Sequence, residues 1–325
     1  MRVLIIGGAG MIGRKLAQRL AAEGRVGGRT IESMTLYDIV PAPPPAGAAF
    51  PVRVEIGDLP APGEAARLLM AGPDIVFHLA AIVSGQAEQD FDLGYRINLD
   101  GTRAVLEAAR TAGHRPRVIF ASSLAAYGAP LPDPIGDDYL VAPLTSYGTQ
   151  KAIGELLVSD YTRKGFVDGY ALRLPTICVR PGKPNAAASG FFSAIIREPL
   201  AGQEAVLPVS EDVMHWHASP RAAVGFLLHA AALDGERVGP RRAFTLPGVA
   251  VTVGEQIAAL RTIAGDKVAA RIRRAPDPFV QRIIAGWPRR FDTKRARDLG
   301  FEAEKSFEEI IRVHIEDELG GGVPS

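Results

Sequence analysis

Up to about residue 175, strand-like runs rich in apolar residues alternate with stretches in which apolar positions recur every three or four residues. The runs are Val3 to Ile6, Met34 to Tyr37, Val52 to Ile56, Ile75 to Leu79, Val118 to Ala121 and Tyr170 to Leu174. Val3 to Ile6, without polar alternation, suits a parallel strand covered on both faces, and the alternation of runs with helical patterns suits a parallel sheet with helices on both faces. Between the second and third runs, Pro41 to Gly47 reads PAPPPAG, which predicts a stiff surface connection. After Leu174 the pattern breaks into short pieces punctuated by Pro175, Pro181, Pro184 and Gly190. A helix is predicted from Phe191 to Arg197, and another from Ala222 to Ala232 that packs back on the first part. Two more helical patterns, Val253 to Ala264 and Phe307 to Leu319, flank a stretch rich in proline and arginine. There is no internal repeat.

The first run ends in a glycine-rich turn, GGAGMIG, before an amphipathic pattern through Leu16 and Leu20. Strand, tight turn and helix give Gly7, Gly10 and Gly13 separate tasks: the turn, the approach of a pyrophosphate, and the contact of helix with strand. The helix start, at Met11 and Ile12, offers free N–H groups and a partial positive charge to phosphates. The second strand ends in Asp38, where a dinucleotide-binding unit places the acid that bonds a ribose 2′-hydroxyl. An acid there repels a 2′-phosphate, so the predicted cofactor is NAD rather than NADP. The fold class that follows is α/β: a Rossmann-type doubly wound parallel sheet over residues 1–174, with a smaller C-terminal α/β substrate lobe over residues 175–325. The segment 215–245 is predicted to pack back on the sheet.

Composition adds mainly exclusions. In 325 residues, 47% are hydrophobic and 22% charged, as in an ordinary globular protein. Lys and Arg number 37 against 36 Asp and Glu, so the net charge of +1 gives no reason to expect a nucleic acid or an anionic membrane as partner. The single cysteine, Cys178, rules out an internal disulfide and reads as a small packing residue. The six histidines are scattered, with only His215 and His217 close together, and no metal is expected. Ala222 to Leu233 is too short to span a bilayer, and the chain opens on a core strand without a leader, so a cytoplasmic location is expected.

Chemistry gathers around SYGTQKAIGELL, in which Tyr147 and Lys151 stand four residues apart on one helix face. A phenol near pKa ~10 is a poor base at neutral pH, but an adjacent ammonium and a positive nicotinamide favour its phenolate. The same spacing is also found on plain solvated helices. Upstream, Val118 to Ala121 runs into Ser122 and Ser123, with Tyr127 and Gly128 following. Hydroxyls past the carboxyl end of a parallel strand sit where open α/β sheets bind ligands.

Together these motifs resemble the extended short-chain dehydrogenases/reductases, the family that includes nucleotide-sugar epimerases and dehydratases. The likeness runs through Gly7, Gly10 and Gly13; Asp38; Gly57-Asp58-Leu59; His78-Leu79-Ala80-Ala81; Asn98 with Gly101 and Thr102; Ser122-Ser123 with Tyr127-Gly128; Tyr147 and Lys151; Arg173 to Ile177; and RFDTKRARDLGF near the C-terminus. The resemblance implies that Tyr147 is the catalytic base, that Lys151 bonds the nicotinamide ribose, and that Ser123 orients the reacting oxygen, with Ser122 in a supporting role. It further implies that Asp58 and Leu59 lie at the adenine, that Leu79, Ala80, Ala81 and Asn98 line the cofactor site, and that Pro175, Thr176 and Ile177 lie near the nicotinamide. Where nucleotide-sugar enzymes carry an arginine, this chain has Met214-His215-Trp216-His217-Ala218, so a diphosphate would lack its cation. The segment VRPGKPNAAASGFFSAIIREP offers Arg180, Lys183, Asn185, Ser189 and Arg197 as polar groups, and it suits a small anionic polyol. Whole-chain likeness is to the branch of the family that oxidises a four-carbon sugar acid, D-erythronate, at C2. In that reading Ser84 bonds a second substrate hydroxyl and Arg180 or Ser189 meets the substrate. The alternatives are a nucleotide-sugar 4-epimerase using the same Tyr/Lys pair and a non-catalytic nucleotide sensor. The family also implies a homodimer through the helices starting near Asn98 and Tyr147, with Ala104, Ala108, Ala109, Ala152, Leu156 and Leu157 at the contact.

Overall fold

In a computed structural model the described residues are 1–182 and 189–322; Lys183 and Asn185, read above as substrate groups, lie outside them. All six apolar runs form strands: β1 (Arg2–Ile6), β2 (Ser33–Asp38), β3 (Val52–Ile56), β4 (Ile75–His78), β5 (Arg117–Ser123) and β6 (Asp168–Leu174). After them come β7 (Thr176–Ile177), β8 (Met214–Ala218), β9 (Ala243–Thr245) and β10 (Val249–Thr252). Seven strands make one parallel sheet in the order β3-β2-β1-β4-β5-β6-β9. The order reverses between β1 and β4, so a crevice opens at the carboxyl ends of those strands. One boundary differs from the sequence reading: Ser122 and Ser123 belong to β5, because the ladder continues through Ser122 opposite Arg173 and Ser123 opposite Leu174.

The helices that matter for the site are α1 (Met11–Glu23), α2 (Gly101–Ala112), α3 (Ser146–Arg163), α4 (Gly190–Leu200), α5 (Pro220–Ala232), α6 (Val253–Ala264) and α7 (Phe307–Glu318). Helix α1 buries Gly13, Leu16, Ala17, Leu20 and Ala21, the stripe its periodicity predicts, and ends at Gly24 in the left-handed region with its N–H on Leu20 O. Helix α5 starts on Ser219, whose hydroxyl accepts the Ala222 N–H, and its Val224, Phe226 and Leu227 join Val3, Ile5 and Leu16 in one core on the sheet. The other sheet face is filled by Leu4, Ile6, Val105, Leu106, Phe120 and Val158. A separate core, built from Phe192, Ile196, Val253, Leu260, Phe307 and Ile311, holds α4, α6 and α7 together.

Two further features place the second lobe over the crevice. Strand β8 pairs in parallel with β7 and antiparallel with β10, so the His215–His217 segment lies beside Thr176 and Ile177 just after β6. The chain then returns to the first domain a second time: Ala296 and Phe301 enter the sheet core, and Phe291 packs with Leu124, Tyr127, Ile135 and Trp216. Proline- and arginine-rich composition gave no sign of that return. Among the described residues no helix is long and apolar enough to cross a membrane, and no group of three or more His, Cys, Asp or Glu could hold a metal.

Candidate active site

At the end of β1 the chain turns at Gly7, with φ at +95°. The Gly7 and Gly8 N–H groups both donate to Tyr37 O, at 2.8 and 3.0 Å, which ties the turn to β2. A Cβ on Gly7 would lie 2.6 Å from Ala80 N, and one on Gly13 only 2.1 Å from Gly7 O. Gly10 differs, since a Cβ there would meet only Gly7 O at 3.3 Å, and the space beyond it is open. It caps α1 in an extended conformation without any side-chain cap, which leaves the Met11 and Ile12 end of the helix available to an anion. Asp38 Oδ2 accepts the Ala9 N–H at 2.9 Å and Oδ1 the Ile39 N–H at 2.7 Å. Two acceptor positions remain on that carboxylate for a ribose diol. Turn, helix end and carboxylate together fit a dinucleotide.

Across the switch point the Leu79 and Ala80 N–H groups both donate to Ile6 O, which lifts Ala80 and Ala81 away from the sheet. Asn98, buried and within a short π-helical stretch before α2, fixes the next turn: its Oδ1 accepts the Ile82 N–H at 2.9 Å, and its Nδ2 donates to Ile82 O and to Gln150 Oε1. Its amide is thus committed within the chain, and its part at the cofactor site is to shape the loop. Asp58 is similarly engaged, in an ion pair with Arg96 at 2.6 Å, while Leu59 is buried against α2 at Gly101.

Helix α3 carries Tyr147 and Lys151, and two glycines decide where it sits. A Cβ on Gly148 would lie 2.0 Å from Ala125 O, and one on Gly154 would strike the Phe120 ring at 2.7 Å. Without those Cβ atoms the helix start presses onto the turn after Ser123 and its middle onto β5. That close approach brings Ser123 to Tyr147. The Ser123 Oγ also accepts the Ala125 N–H at 3.2 Å, whereas Ser122 turns the other way and donates to Glu155. Lys151 Nζ donates to Ala121 O at 2.8 Å and stands 5.6 Å from the centre of the Tyr147 ring. Burial raises the Tyr147 phenol above its ordinary pKa, and the groups that pull it back down are the Arg180 guanidinium and the Ser123 hydroxyl. Lys151 Nζ is drawn to the Ala121 carbonyl.

Arg180 comes from the second lobe. Its Nε donates to Ile177 O and its Nη2 to Ser189 Oγ, each at 3.0 Å, and its backbone N–H to the buried Ser193 Oγ at 3.0 Å. Among the described residues no carboxylate pairs with this largely buried cation. Arg197, the other cation read from the sequence there, is paired with Glu198 and braces Arg180 O. Behind Arg180 the histidines of β8 are packed as neutral rings. His215 Nε2 accepts from the Thr176 hydroxyl at 2.7 Å, its Nδ1 donates to Pro288 O, and it stacks on Phe192; burial lowers its pKa to about 4. His217, bonded to Gln256, lies well below the ordinary range for the same reason. Burial pushes the Cys178 thiol up to about 12, so it is a packing group. Pro175 joins β6 to β7 and Ile177 is buried beneath Arg180. Ser84 opens the short helix Ser84–Gln89 beyond the Asn98-held turn, and among the described residues its hydroxyl has no partner. The structure thus brings Ser123, Tyr147, Arg180 and Ser189 into one cluster, with Lys151 on its cofactor side. Gly148 and Ser193 are not singled out by the sequence, and Gly154 reads there only as a breaker in a helical pattern.

With this geometry in hand, comparison with known proteins is informative. The sequence profile of the NAD dependent epimerase/dehydratase family matches residues 3–218. D-erythronate dehydrogenase of Cupriavidus necator is 51% identical over 98% of both chains. D-erythronate dehydrogenase of Haemophilus influenzae is 43% identical over 98% of this chain and 100% of its own. A crystal structure described as the nucleoside-diphosphate-sugar epimerase from Agrobacterium tumefaciens superposes with a TM-score of 0.98 at 62% identity, over 100% of this chain and 96% of its own.

Proposed function

This chain belongs to the NAD dependent epimerase/dehydratase family, and from that premise we propose that it oxidises D-erythronate at C2 to 2-dehydro-D-erythronate, with Tyr147 as base. NAD is its cofactor, and an NAD-dependent sugar-acid dehydrogenase is the activity its relatives support. The bound nucleotide supplies the hydride acceptor. The chain's own residues do the rest. Arg180 holds the substrate carboxylate in a charge-assisted bond, which puts C2 and its hydroxyl at the Tyr147 phenol. Ser123 orients that hydroxyl, and Tyr147 takes its proton. A carboxylate on Arg180 cancels much of the positive field at Tyr147, and the Lys151 ammonium then becomes the cation that stabilises the phenolate. Ser84 and Ser189 are left for the remaining hydroxyls of a short polyol.

The observation that carries this reading is Arg180, a partly buried guanidinium that stands beside a tyrosine and, among the described residues, has no carboxylate partner. Uncompensated buried charge is costly, so such a site favours an anionic ligand. The 4-epimerase reading is kept because of the name of the 62% identical structure. Against it stands β8, where His215 and His217 are locked in an aromatic cluster at the place of the diphosphate-binding arginine. The test is NADH formation by the purified protein with D-erythronate, L-threonate and their epimers, alongside UDP-glucose. Turnover of one acid, abolished in Tyr147→Phe, is the expected result; epimer from the sugar nucleotide without net NADH would establish the second reading.

We further propose a cytoplasmic homodimer through α2 and α3. Only part of the surface read from the sequence is free for it: Ala108, Ala109 and Ala152 are buried within the chain, while Leu156 is 67% exposed. Leu156→Glu is expected to halve the solution mass measured by light scattering.

A further inference from the structure

Beneath Tyr147 and Lys151 lies a polar layer that the reaction above does not use. Arg173 on β6 has Ser122 of β5 and Thr245 of β9 as its register partners on either side. Its Nε reaches both oxygens of the Glu155 carboxylate at 3.0 Å, and its Nη2 reaches Oε2 at 2.6 Å. Ser122 donates to the same carboxylate. The third nitrogen, Nη1, donates to the Tyr127 hydroxyl at 2.7 Å, which shares a hydrogen bond of the same length with Thr245. Glu155 is 3% exposed, so the pair is removed from water.

A buried ion pair is weak support for stability, because apolar residues of similar volume do as well. Its position suggests another use. Glu155 follows Lys151 by one helical turn on the buried stripe of α3, Ser122 precedes Ser123, and Arg173 stands two residues before Pro175. The network therefore ties together α3, β5 and β6, which carry Tyr147 and Lys151, Ser123 and the run into Pro175, yet none of its members lies in the cluster at Tyr147.

We propose that Glu155, clamped by Arg173, is a positioning residue whose negative charge holds the Lys151 ammonium in place beneath the nicotinamide ribose. This rests on the role given to Lys151 above. Burial pushes the Lys151 amine down and Glu155 is the group that opposes it, which leaves the amine at about 8. The other charged or titratable groups facing Lys151 do not replace it. Tyr147 on the same helix is neutral in the free protein; His78 on β4 is held uncharged by burial, with a pKa of about 3; and Arg173 lies behind Glu155 with the opposite sign. Two rings, Phe120 at 4.8 Å and Tyr147 at 5.6 Å, complete the surroundings of Nζ.

The experiment is NADH affinity against pH, followed by fluorescence, in the wild type and in Glu155→Gln and Glu155→Asp. In the wild type affinity falls as Lys151 loses its proton on the alkaline side. Without the carboxylate charge that midpoint moves to lower pH by about one unit, while Glu155→Asp restores it. Lys151→Met removes the dependence. Should Glu155→Gln alone not fold, Glu155→Gln combined with Arg173→Met takes away both charges and is read in the same way. An unmoved midpoint in either folded variant, or a wild-type affinity flat with pH, overturns the proposal. No sugar acid is needed for this readout, so a shifted midpoint in a protein that oxidises none of the acids would sink the substrate reading and leave this one standing.

Discussion

On the nucleotide side of the crevice the decisive atoms belong to the backbone: Gly7, Gly10 and Gly13 matter for the Cβ they lack, and the helix end for N–H groups that any residue would present. On the side proposed for the substrate, side-chain tips are brought together from far apart, with Arg180 against Tyr147 and Ser123, braced by Ser189 and Ser193. One half works by excluding volume, the other by placing charge where water is scarce. The first is signalled by a short glycine-rich turn, while the second depends on segments distant in sequence meeting. Mutations should separate them accordingly.

The largest effect is expected at Gly13. An alanine Cβ there would lie 2.1 Å from a backbone oxygen, which no rotamer can relieve. A loss of roughly 3 kcal/mol of stability is expected, visible in urea unfolding, with NAD binding lost as the turn opens. Gly10→Ala sharpens the contrast. Its Cβ meets Gly7 O only at 3.3 Å, so stability should hold while NAD affinity, measured by calorimetry, collapses. Equal damage to stability in both variants would break the claim that each glycine serves a different contact.

On the other side, Arg180→Lys keeps a positive charge but not the fork. The guanidinium is held at Nε and Nη2, and a lysine cannot hold both contacts and still meet a carboxylate. KM for the sugar acid should rise about a hundredfold, roughly 2.7 kcal/mol, with NADH affinity and stability near wild type. A loss of NADH binding instead would mean that Arg180 serves the cofactor side.

The glycine turn and the NAD cofactor were legible in the sequence because their signals are local. Glycine spacing and the acid at a strand end survive as patterns, and so did Tyr147 and Lys151 on one helix turn. The substrate half was legible only as a set of candidates. Nothing in VRPG says that the guanidinium of Arg180 turns inward, since that follows from Ser189 and Ser193 on the far side of the 183–188 segment and from β8 pairing beside Thr176. Strand β9 and the return through Ala296 and Phe301 were unreadable for the same reason, being short pieces stabilised by partners distant in sequence. Asn98 and Asp58 are recognisable motif residues whose side chains are also engaged within the chain, by Gln150 and Arg96.

A smaller effect distinguishes the halves in acid. His78 under the nucleotide side and His215 under the substrate side are held by burial at about 3 and about 4, below the ordinary 6.5. Groups depressed in the folded state bind fewer protons there than in the unfolded chain, so their contribution is complete above about pH 6.5 and is lost as the pH falls toward those values. Near pH 5 each should cost about 2 kcal/mol of stability. Urea titrations at neutral and mildly acid pH would show this, and His215→Gln should flatten the slope by about one proton. A slope unchanged in that variant would mean that the substrate-side imidazole is free to protonate in the folded state.

Asp38→Asn carries the smallest effect and the finest test of the division. The Oδ2 bond from Ala9 and the Oδ1 bond from Ile39 both need an acceptor, and an asparagine keeps only one. If Asp38 were merely a fold element, the loss would appear in stability, because the turn that it holds belongs to the core of the nucleotide side. As a ribose ligand with capacity to spare, it should instead cost about tenfold in NAD affinity while narrowing the preference against NADP, since the charge that repels a 2′-phosphate is gone. The ratio of the two affinities isolates the charge from the hydrogen bond: a fall in both nucleotides together would leave the turn as the explanation, and only a fall in NAD with a gain in NADP assigns the carboxylate to the cofactor.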